Sequence, residues 1–287
     1  MSGVLYLVGT PIGNLEDITL RALNVLRAVK LVAAEDTRRV RKLLERYQVA
    51  VAVTSYGQHN ARSKCHAILA ELAQGRDVAL VSDAGMPGIS DPGAELVAEA
   101  RRQGFQVTCV PGPSAAVAAL ALSGIAAPTW WFLGFLPRRP GPRRRLLSRV
   151  LAAGTPLVAF EAPHRVLDTL ADLADLAPEA ETALAREMTK LHEEVLAGTP
   201  DHVRQQLVER FPDGCPRGEY TLVIEGGTPT RAACSPGSLA DAVHLRVASG
   251  ESISQAVRHV AEAAGVSRQM LYKAIRDPEV TDPVLPR

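Results

Sequence analysis

The chain has 287 residues, which is enough for two domains or for one large one, and its net charge of +1 gives no overall attraction to nucleic acid. Hydrophobic residues make up 47% and charged residues 22%, the balance of an ordinary globular protein. No apolar run reaches the length of a membrane-spanning helix, and the apolar N-terminal stretch lacks the basic residues of a signal peptide. The four cysteines are far apart and form no CxxC pair, so we expect no structural zinc site and a cytoplasmic location.

In the first part of the chain, short apolar runs alternate with longer amphipathic stretches. The runs predict strands at residues 4–9, 31–34, 51–55, 77–82 and 105–110. The stretches between them have apolar residues at helical spacing and predict helices at residues 17–28, 37–47, 61–74 and 91–103. Continuous apolar strands separated by helices are typical of a parallel α/β sheet that is buried on both faces.

A second α/β set follows a break near residues 124–128. Its predicted strands are at residues 129–135, 156–161, 182–187 and 219–225, and its predicted helices are at 143–153, 164–176 and 200–211. We therefore place an N-terminal α/β domain at residues 1–126 and a second α/β domain at residues 127–228.

The C-terminal region, at residues 238–287 after a linker at 228–237, is predicted to be helical. Ser252 and Gln255 fit a capping box, and a Gly-Val-Ser break separates two amphipathic helices. The pair fits a plain packing hairpin and fits equally well a helix-turn-helix unit that contacts nucleic acid, with its basic side chains at Arg268, Lys273 and Arg276.

Glycine and proline cluster where three of the predicted strands end. These loops read GTPIGN at residues 9–14, SDAGMPGISDPG at 82–93 and PGPSAA at 111–116. Loops at the carboxyl ends of parallel strands line the ligand crevice of an open sheet, and small residues let the backbone approach a ligand closely. One such loop is explained by a tight turn, whereas three on one sheet edge predict a pocket lined by backbone.

The loops exclude several common nucleotide sites. The first loop is not GxGxxG, which argues against a dinucleotide site, and it has no P-loop lysine. The acidic residue followed by GxGxG that marks ordinary Rossmann methyltransferases is also absent.

Eight motifs, in order between residues 4 and 227, carry a resemblance to a known family. They are VGTPIGNLEDIT, AAEDTR, SDAGMPGISDPG, PGPSA, GFLPR, FEAPHR, REMTK and GEYTLVIEG. Together they resemble the tetrapyrrole methylases, and within them the ribosomal RNA small-subunit methyltransferase I family, whose members 2′-O-methylate a cytidine of bacterial 16S ribosomal RNA. The resemblance implies two α/β domains, S-adenosylmethionine in the cleft between them, 16S rRNA or the 30S subunit as partner, and a homodimer.

The resemblance also implies which residues bind the cofactor. The family usually has DAGTP where this chain has Met86 in place of the threonine, so no hydroxyl is available at that position. Ser114 is predicted to open a helix and could hold a carboxylate or ribose oxygen. Asp83 could complement the ammonium or sulfonium charge, or only cap a turn. The full set expected at the cofactor is Thr10, Pro11, Asp83, Ala84, Gly85, Met86, Ser114, Ala115 and Phe160.

A ribose hydroxyl reacts faster when a base or an electrostatic stabiliser helps its proton leave. The candidates for a catalytic role are Asp36, Arg38, Glu161 and Arg186. Asp36 would serve equally well as a helix cap, and the sequence does not single out a base. Further polar residues after apolar strands are Glu35, His59, Asn60, His164 and Glu187, the last of which fits a structural ion pair equally well. No His or Cys cluster has the spacing of metal ligands, so we expect no metal.

Arginines are concentrated where the second domain begins. Nearby prolines predict that the first half of this run is a loop, and arginine side chains on a loop suit phosphate oxygens. The alternative is a solvated charge run at the start of a helix. The residues expected at RNA are Arg138, Arg139, Arg143, Arg144 and Arg145.

Two alternatives to RNA ribose methylation stay open. A tetrapyrrole methyltransferase would share the cofactor site, although a small tetrapyrrole needs neither the arginine run nor the helical C-terminal region. A non-catalytic RNA-binding or ribosome-assembly factor could keep the fold, and it would bind RNA without transferring a methyl group.

Overall fold

The computed structural model describes residues 2–226, 239–240, 243–244, 246–247, 251–264 and 267–276. The predicted linker at residues 228–237, the break between the last two helices at 265–266 and the terminal residues 277–287 lie outside the described residues.

The first sheet is parallel, as predicted. Its five strands have the order β3-β2-β4-β1-β5, and β4 is buried along its whole length between apolar clusters on the two faces of the sheet. The strands are β1 (Val4–Val8), β2 (Leu31–Ala34), β3 (Ala52–Ser55), β4 (Val78–Val81) and β5 (Gln106–Val110). The helices between them are α1 (Leu20–Ala28), α2 (Thr37–Arg46), α3 (Ala61–Ala73) and α4 (Ala94–Arg102).

Two of these helices begin later than the periodicity predicts. Helix α1 begins at Leu20 because the Thr19 hydroxyl accepts the N–H of Ala22 and thereby caps the helix. Helix α4 begins at Ala94 because Gly93, at φ 147°, cannot continue a helix towards the N-terminus.

The second sheet is mixed and not parallel. Its order is β6-β7-β10-β8-β9; β6 and β7 are parallel, and the other neighbouring pairs are antiparallel. Its strands are β6 (Trp131–Phe135), β7 (Leu157–Glu161), β8 (Thr182–Arg186), β9 (Glu194–Gly198) and β10 (Tyr220–Ile224). The helices in this part of the chain are α5 (Ala115–Ser123), α6 (Pro140–Leu151), α7 (Val166–Leu176) and α8 (Pro200–Arg210). Strand β9 was not predicted, because it is a half-buried edge strand without a continuous apolar run.

Helix α5 joins the two sheets. It follows β5 of the first sheet but packs against β7, β8 and β10 of the second. Its buried Ala116 and Ala119 share one apolar cluster with Ile12 from the first domain and with Val158 and Val223 from the second. The domain boundary at residue 126 therefore remains a prediction from the sequence. The apolar cluster around α5 contains residues from both sides of that boundary.

The described C-terminal residues form helices α9 (Ile253–Ala264) and α10 (Arg268–Arg276) and a small apolar cluster of their own. The Ser252 hydroxyl accepts the N–H of Gln255, and the Gln255 side chain accepts the N–H of Ser252, so the capping box is present. Helix α9 packs against α6, which places the C-terminal helices beside the arginine-rich helix.

Candidate functional site

The three glycine-proline loops meet at one edge of the first sheet. The loops after β1 and β4 exchange two backbone hydrogen bonds between Thr10 and Gly85, with N···O distances of 2.9 and 3.1 Å. The loops after β1 and β5 touch backbone to backbone, since a Cβ on Gly9 would lie 2.7 Å from the Cα of Gly112. Small residues are required here because a side chain would force the loops apart.

A cavity of about 470 Å³ opens between these loops and the second domain. Its volume lies within the range of about 300–1,000 Å³ that small-molecule sites occupy. The first domain and α5 contribute Ile12, Arg39, Asp83, Ala84, Gly85, Met86, Ile89, Ser90, Asp91, Ser114, Ala115 and Ala116. The second domain contributes Phe135, Phe160, Glu161, Ala162, Pro163, Met188, Gly218, Glu219, Tyr220 and Thr221.

Most residues expected at the cofactor line this cavity, and two do not. Thr10 and Pro11 are buried behind the wall, where the Thr10 hydroxyl donates to the carbonyls of Ser82 or Gly85 and so holds the β4 loop in place. The residues that line the cavity are Asp83, Ala84, Gly85, Met86, Ser114, Ala115 and Phe160.

One wall of the cavity is acidic. The Asp83 carboxylate accepts the backbone N–H of Asp36 and lies 3.6 Å from Nε of Arg39. Burial, with the nearby carboxylates of Glu35 and Asp83, raises the pKa of Asp91 to about 6. Burial and Asp83 also raise the pKa of Glu35 above its ordinary value. Asp91 is therefore a carboxyl group in the cavity that changes charge near neutral pH.

Strained backbone flanks the cavity on both sides. Left-handed φ angles occur at Glu187 (50°) and Thr189 (66°), on either side of the cavity residue Met188, and at Ser90 (61°) on the first domain. The Thr189 hydroxyl accepts the backbone N–H of Asn14 at 2.9 Å, which ties this loop to the first domain. Strain of this kind persists where the surrounding structure fixes it, and it is concentrated at ligand sites.

Three of the four expected catalytic residues lie outside the cavity. The Asp36 carboxylate accepts the N–H of Arg38 at the start of α2 and pairs with the exposed Arg38 guanidinium, whose hydrogen bond lowers the pKa of Asp36 to about 2. Arg186 is held by the Glu194 carboxylate and by the carbonyl of Arg217. Neither Asp36, Arg38 nor Arg186 lines the cavity.

Glu161 does line the cavity, but its carboxylate already has partners. It accepts the Thr169 hydroxyl at 2.6 Å and the N–H of Ala162 at 2.8 Å, and it pairs with Arg165. With its side chain fully buried, Glu161 fixes the turn that carries Ala162 and Pro163 into the cavity wall. We assign it a positioning role.

The remaining polar candidates lie beside the cavity. Glu187 pairs with Lys190; burial opposes its ionisation, but the Lys190 ammonium and the N–H of Glu219 hold its pKa below the ordinary value. Asn60 accepts the N–H of Gly57 through its side chain. His59 and His164 are exposed, and neither lines the cavity.

The predicted arginine loop is a helix for most of its length, because Pro140 starts α6 and a proline is readily accommodated in a first turn. Arg143 is only 2% exposed and its Nε donates to Asp172 of α7 at 2.7 Å, so the expectation that it contacts RNA was wrong. Arg144 is half-buried and bonds to both Asp172 and Asp175, which occupies it in the same network. Arg138, Arg139 and Arg145 are exposed, and among the described residues no acidic side chain pairs with them.

Sequence reasoning missed several residues of the site. Most of them belong to quoted motifs, and Arg39 directly follows one, but none was singled out, since nothing local shows which side chain points into a cavity formed by two domains. Most prominent are Arg39, Asp91, Phe135, Glu219 and Tyr220.

Among the described residues, no group of three or more His, Cys, Asp or Glu side chains could hold a metal ion. No helix in the same part of the chain is long and apolar enough to cross a membrane.

Comparison with known proteins gives consistent matches. The chain matches the family model of the tetrapyrrole (corrin/porphyrin) methylases over residues 4–203. It is 44% identical over 273 residues to a ribosomal RNA small subunit methyltransferase I of Synechocystis sp., covering 94% of this chain and 96% of that protein. The protein of the same name from Thermotoga maritima is 46% identical over 224 residues, covering 78% of this chain and 99% of its own length.

A solved structure supports the fold. The uroporphyrin-III C-methyltransferase of Thermus thermophilus, in complex with S-adenosylhomocysteine, has a TM-score of 0.56 at 21% identity and covers 80% of this chain and 99% of that one.

Proposed function

The chain belongs to the tetrapyrrole methylase family and, within it, to the ribosomal RNA small subunit methyltransferase I proteins, and we propose that it 2′-O-methylates a cytidine of 16S ribosomal RNA. The methyl donor is S-adenosylmethionine and the acceptor is RNA of the small ribosomal subunit, which would place the reaction in the cytoplasm. The observation that carries the proposal is a cofactor-sized cavity between two domains. The rim on the second domain is followed along the chain by exposed arginines with which no described acidic side chain pairs.

The residues of the cavity fit the cofactor. Backbone from three glycine-proline loops can bond to its polar groups, and the carboxylates of Asp83 and Asp91 suit its cationic parts. Phe160 and Met188 supply apolar surface for a ring. When bound, S-adenosylmethionine supplies a methyl group that its sulfonium has already activated.

The protein's own contribution is orientation and the exclusion of water. Methyl transfer is an in-line displacement, which requires the reacting atoms to be held close and aligned. The bridge between Thr10 and Gly85 fixes one wall, and the buried Glu161–Thr169 hydrogen bond fixes the other. Both walls are therefore set before a ligand enters, as preorganised catalysis requires.

We further propose that the active form is a homodimer. Helix α5 exposes Val117, Ala121 and Leu122, and it is apolar at every position before Ser123. An apolar surface of this kind favours contact with another protein surface. Sedimentation equilibrium at micromolar concentration should give twice the chain mass of 30.6 kDa; a single-chain mass would contradict the dimer and leave the methylation proposal intact.

The decisive experiment uses methyl-labelled cofactor and 30S subunits from a strain that lacks this protein. We expect label on 16S RNA, on a ribose 2′-oxygen once the modified nucleotide is mapped. Parallel reactions contain free 16S RNA, to identify the preferred substrate, and uroporphyrinogen, to test the tetrapyrrole alternative.

Two outcomes would contradict the proposal. Label on the tetrapyrrole and none on RNA would make the chain a tetrapyrrole methyltransferase. Tight binding of 30S subunits and of S-adenosylmethionine, without transfer of label, would make it a non-catalytic assembly factor.

A further inference from the structure

One aromatic side chain at the cavity is left largely outside the core. Phe135 is the last residue of β6, lines the cavity and is 59% exposed. Burial of a phenylalanine is favourable, so the exposed ring leaves apolar area available for contact with a ligand.

The backbone before Phe135 is irregular in a way that determines where its ring lies. The pairing of β6 with β7 shifts register between Phe132 and Phe135. Gly134 has φ +61°, and a Cβ there would lie 3.0 Å from the Oγ of Ser90 on the first domain. Irregularities of this kind redirect side chains next to active sites. The rim of the cavity is therefore narrow at this point, with Phe135 on one side and the Ile89–Ser90 segment on the other.

Other aromatic rings support Phe135. Its ring meets Phe160 edge to face, with centroids 5.5 Å apart, and Phe160 meets Phe132 in the same way at 5.1 Å. Edge-to-face contacts leave one ring face free while limiting motion of the ring. Phe135 thus offers a flat apolar face, held in place, at the entrance of the cavity.

Positive charge follows immediately along the chain. Arg138 and Arg139 are exposed, and no described acidic side chain pairs with either of them. A stacking face beside unpaired arginines is the chemistry that binds single-stranded RNA, in which unstacked bases lie on aromatic rings and phosphates bond to cations.

We propose that Phe135 stacks on a base of the RNA strand that enters the cavity, while Arg138 and Arg139 hold phosphates of that strand. The inference rests on the proposed function and adds a substrate-positioning residue to it. A base held at the rim would direct the ribose of the acceptor nucleotide toward the cavity, where a reactive approach requires the atoms to be within about 3–3.5 Å.

The test compares Phe135→Ala with Phe135→Trp, which keeps an aromatic face. Leu191→Ala is the matched control, because Leu191 is also an exposed apolar residue, at 94%, but does not line the cavity. For each variant, filter retention measures the dissociation constant for 30S subunits that lack the modification. Calorimetry measures S-adenosylmethionine affinity separately, and thermal melting checks the fold.

We expect Phe135→Ala to weaken 30S binding by about 5- to 150-fold, the range for loss of one stacked base. Phe135→Trp should restore 30S binding. Cofactor affinity should stay unchanged in the Phe135 variants, and Leu191→Ala should leave 30S binding unchanged. Unchanged 30S binding by Phe135→Ala would overturn the inference. So would a loss of cofactor affinity, which would place the ring in the cofactor site, or a failure of Phe135→Trp to restore binding in a folded protein.

These outcomes are distinct from failure of the proposed function. If the unmodified protein transfers no label to RNA, the proposed function fails. If it transfers label and Phe135→Ala behaves like Leu191→Ala, only the inference about Phe135 fails.

Discussion

At the scale of single residues, the acidic wall of the cavity gives the site a pH dependence. Asp91 is kept partly from water near Glu35 and Asp83, so its proton is lost only near pH 6. The charged form of Asp91 would attract the cofactor's sulfonium, and the protonated form would not. Cofactor affinity should therefore reach its maximum above pH 7. It should fall as the pH drops through about 6, because protonation of Asp91 competes with binding.

Calorimetry between pH 5 and pH 7.5 measures this effect. The dissociation constant of S-adenosylmethionine should rise with falling pH, by at most about tenfold per unit for one linked proton. S-adenosylhomocysteine, which lacks the sulfonium charge, is the matched ligand and should show a smaller change. Asp91→Asn should remove the difference between the two ligands. An identical pH dependence for both ligands in the unmodified protein would show that Asp91 does not interact with the sulfonium.

Some residue roles follow from the sequence and others do not. Asp83 to Met86 lie in a glycine-rich loop after a buried strand, and that position alone predicts a place at the cavity. Glu161 also stands at the carboxyl end of a buried strand, yet its carboxylate is bonded to Thr169 on the following helix. Sequence shows where a polar residue enters a site, whereas its hydrogen-bond partners are determined by packing.

At the scale of loops, the contact between Gly9 and Gly112 is the most sensitive point of the site. In Gly9→Ala, the new Cβ would lie 2.7 Å from the Gly112 backbone, and backbone cannot move aside as a flexible side chain does. We expect about 1–3 kcal/mol of destabilisation, as for other overpacked sites, and a marked loss of S-adenosylmethionine affinity.

Gly57→Ala is the control for this variant. Its Cβ would meet only Glu35 at 3.9 Å, an ordinary contact, so stability and cofactor affinity should stay near those of the unmodified protein. Thermal melting and calorimetry on both variants make the comparison. Unaltered cofactor binding by Gly9→Ala would show that the loops after β1 and β5 are not part of the cofactor site.

At the scale of helices, α6 divides its arginines between two roles. Arg143 is buried against Asp172, while Arg145 is exposed two residues further on. The charge run in the sequence does not distinguish them, because the partner of Arg143 lies on α7, 29 residues away. Sequence therefore predicts a basic surface here, and only the packing of α6 on α7 shows which arginines remain available.

This division predicts opposite effects of two variants. Arg143→Ala leaves the buried Asp172 carboxylate with only Arg144 to balance its charge. This variant should lower the free energy of unfolding by about 3–5 kcal/mol, as for other broken buried pairs. Replacing Arg138, Arg139 and Arg145 together with alanine should leave the melting temperature unchanged. The same triple variant should flatten the slope of log RNA affinity against log salt by about two to three units, at roughly 0.7–0.9 per phosphate contact.

RNA titrations at several salt concentrations, run beside thermal melts, measure both effects. A triple variant with an unchanged salt slope would show that these arginines do not contact phosphate. A stable Arg143→Ala would show that the Arg143–Asp172 pair does not support the fold.

At the scale of the molecule, the first sheet was predictable and the arrangement of the second was not. Continuous apolar strands alternating with amphipathic helices specify a parallel sheet, and all five strands of the first sheet were found. In the second sheet β10, the last strand along the chain, lies between β7 and β8. That pairing is long-range and leaves no local periodicity to detect. The mixed topology, like the cavity that depends on it, therefore required the structure.

The shared core makes a prediction about how the two α/β domains unfold. Helix α5 packs on the second sheet, and the cavity draws residues from both domains, so S-adenosylmethionine should stabilise both together. In calorimetric melts, the main transition should stay single and move upward as a whole when cofactor is added. At a free concentration 100 times the dissociation constant, the stabilisation is about 2.7 kcal/mol, or roughly 5–10 °C for a chain of this size. Gly9→Ala, at the same cofactor concentration, should show a much smaller shift. Two main transitions of which only one moved with cofactor would place the cofactor's contacts within a single domain.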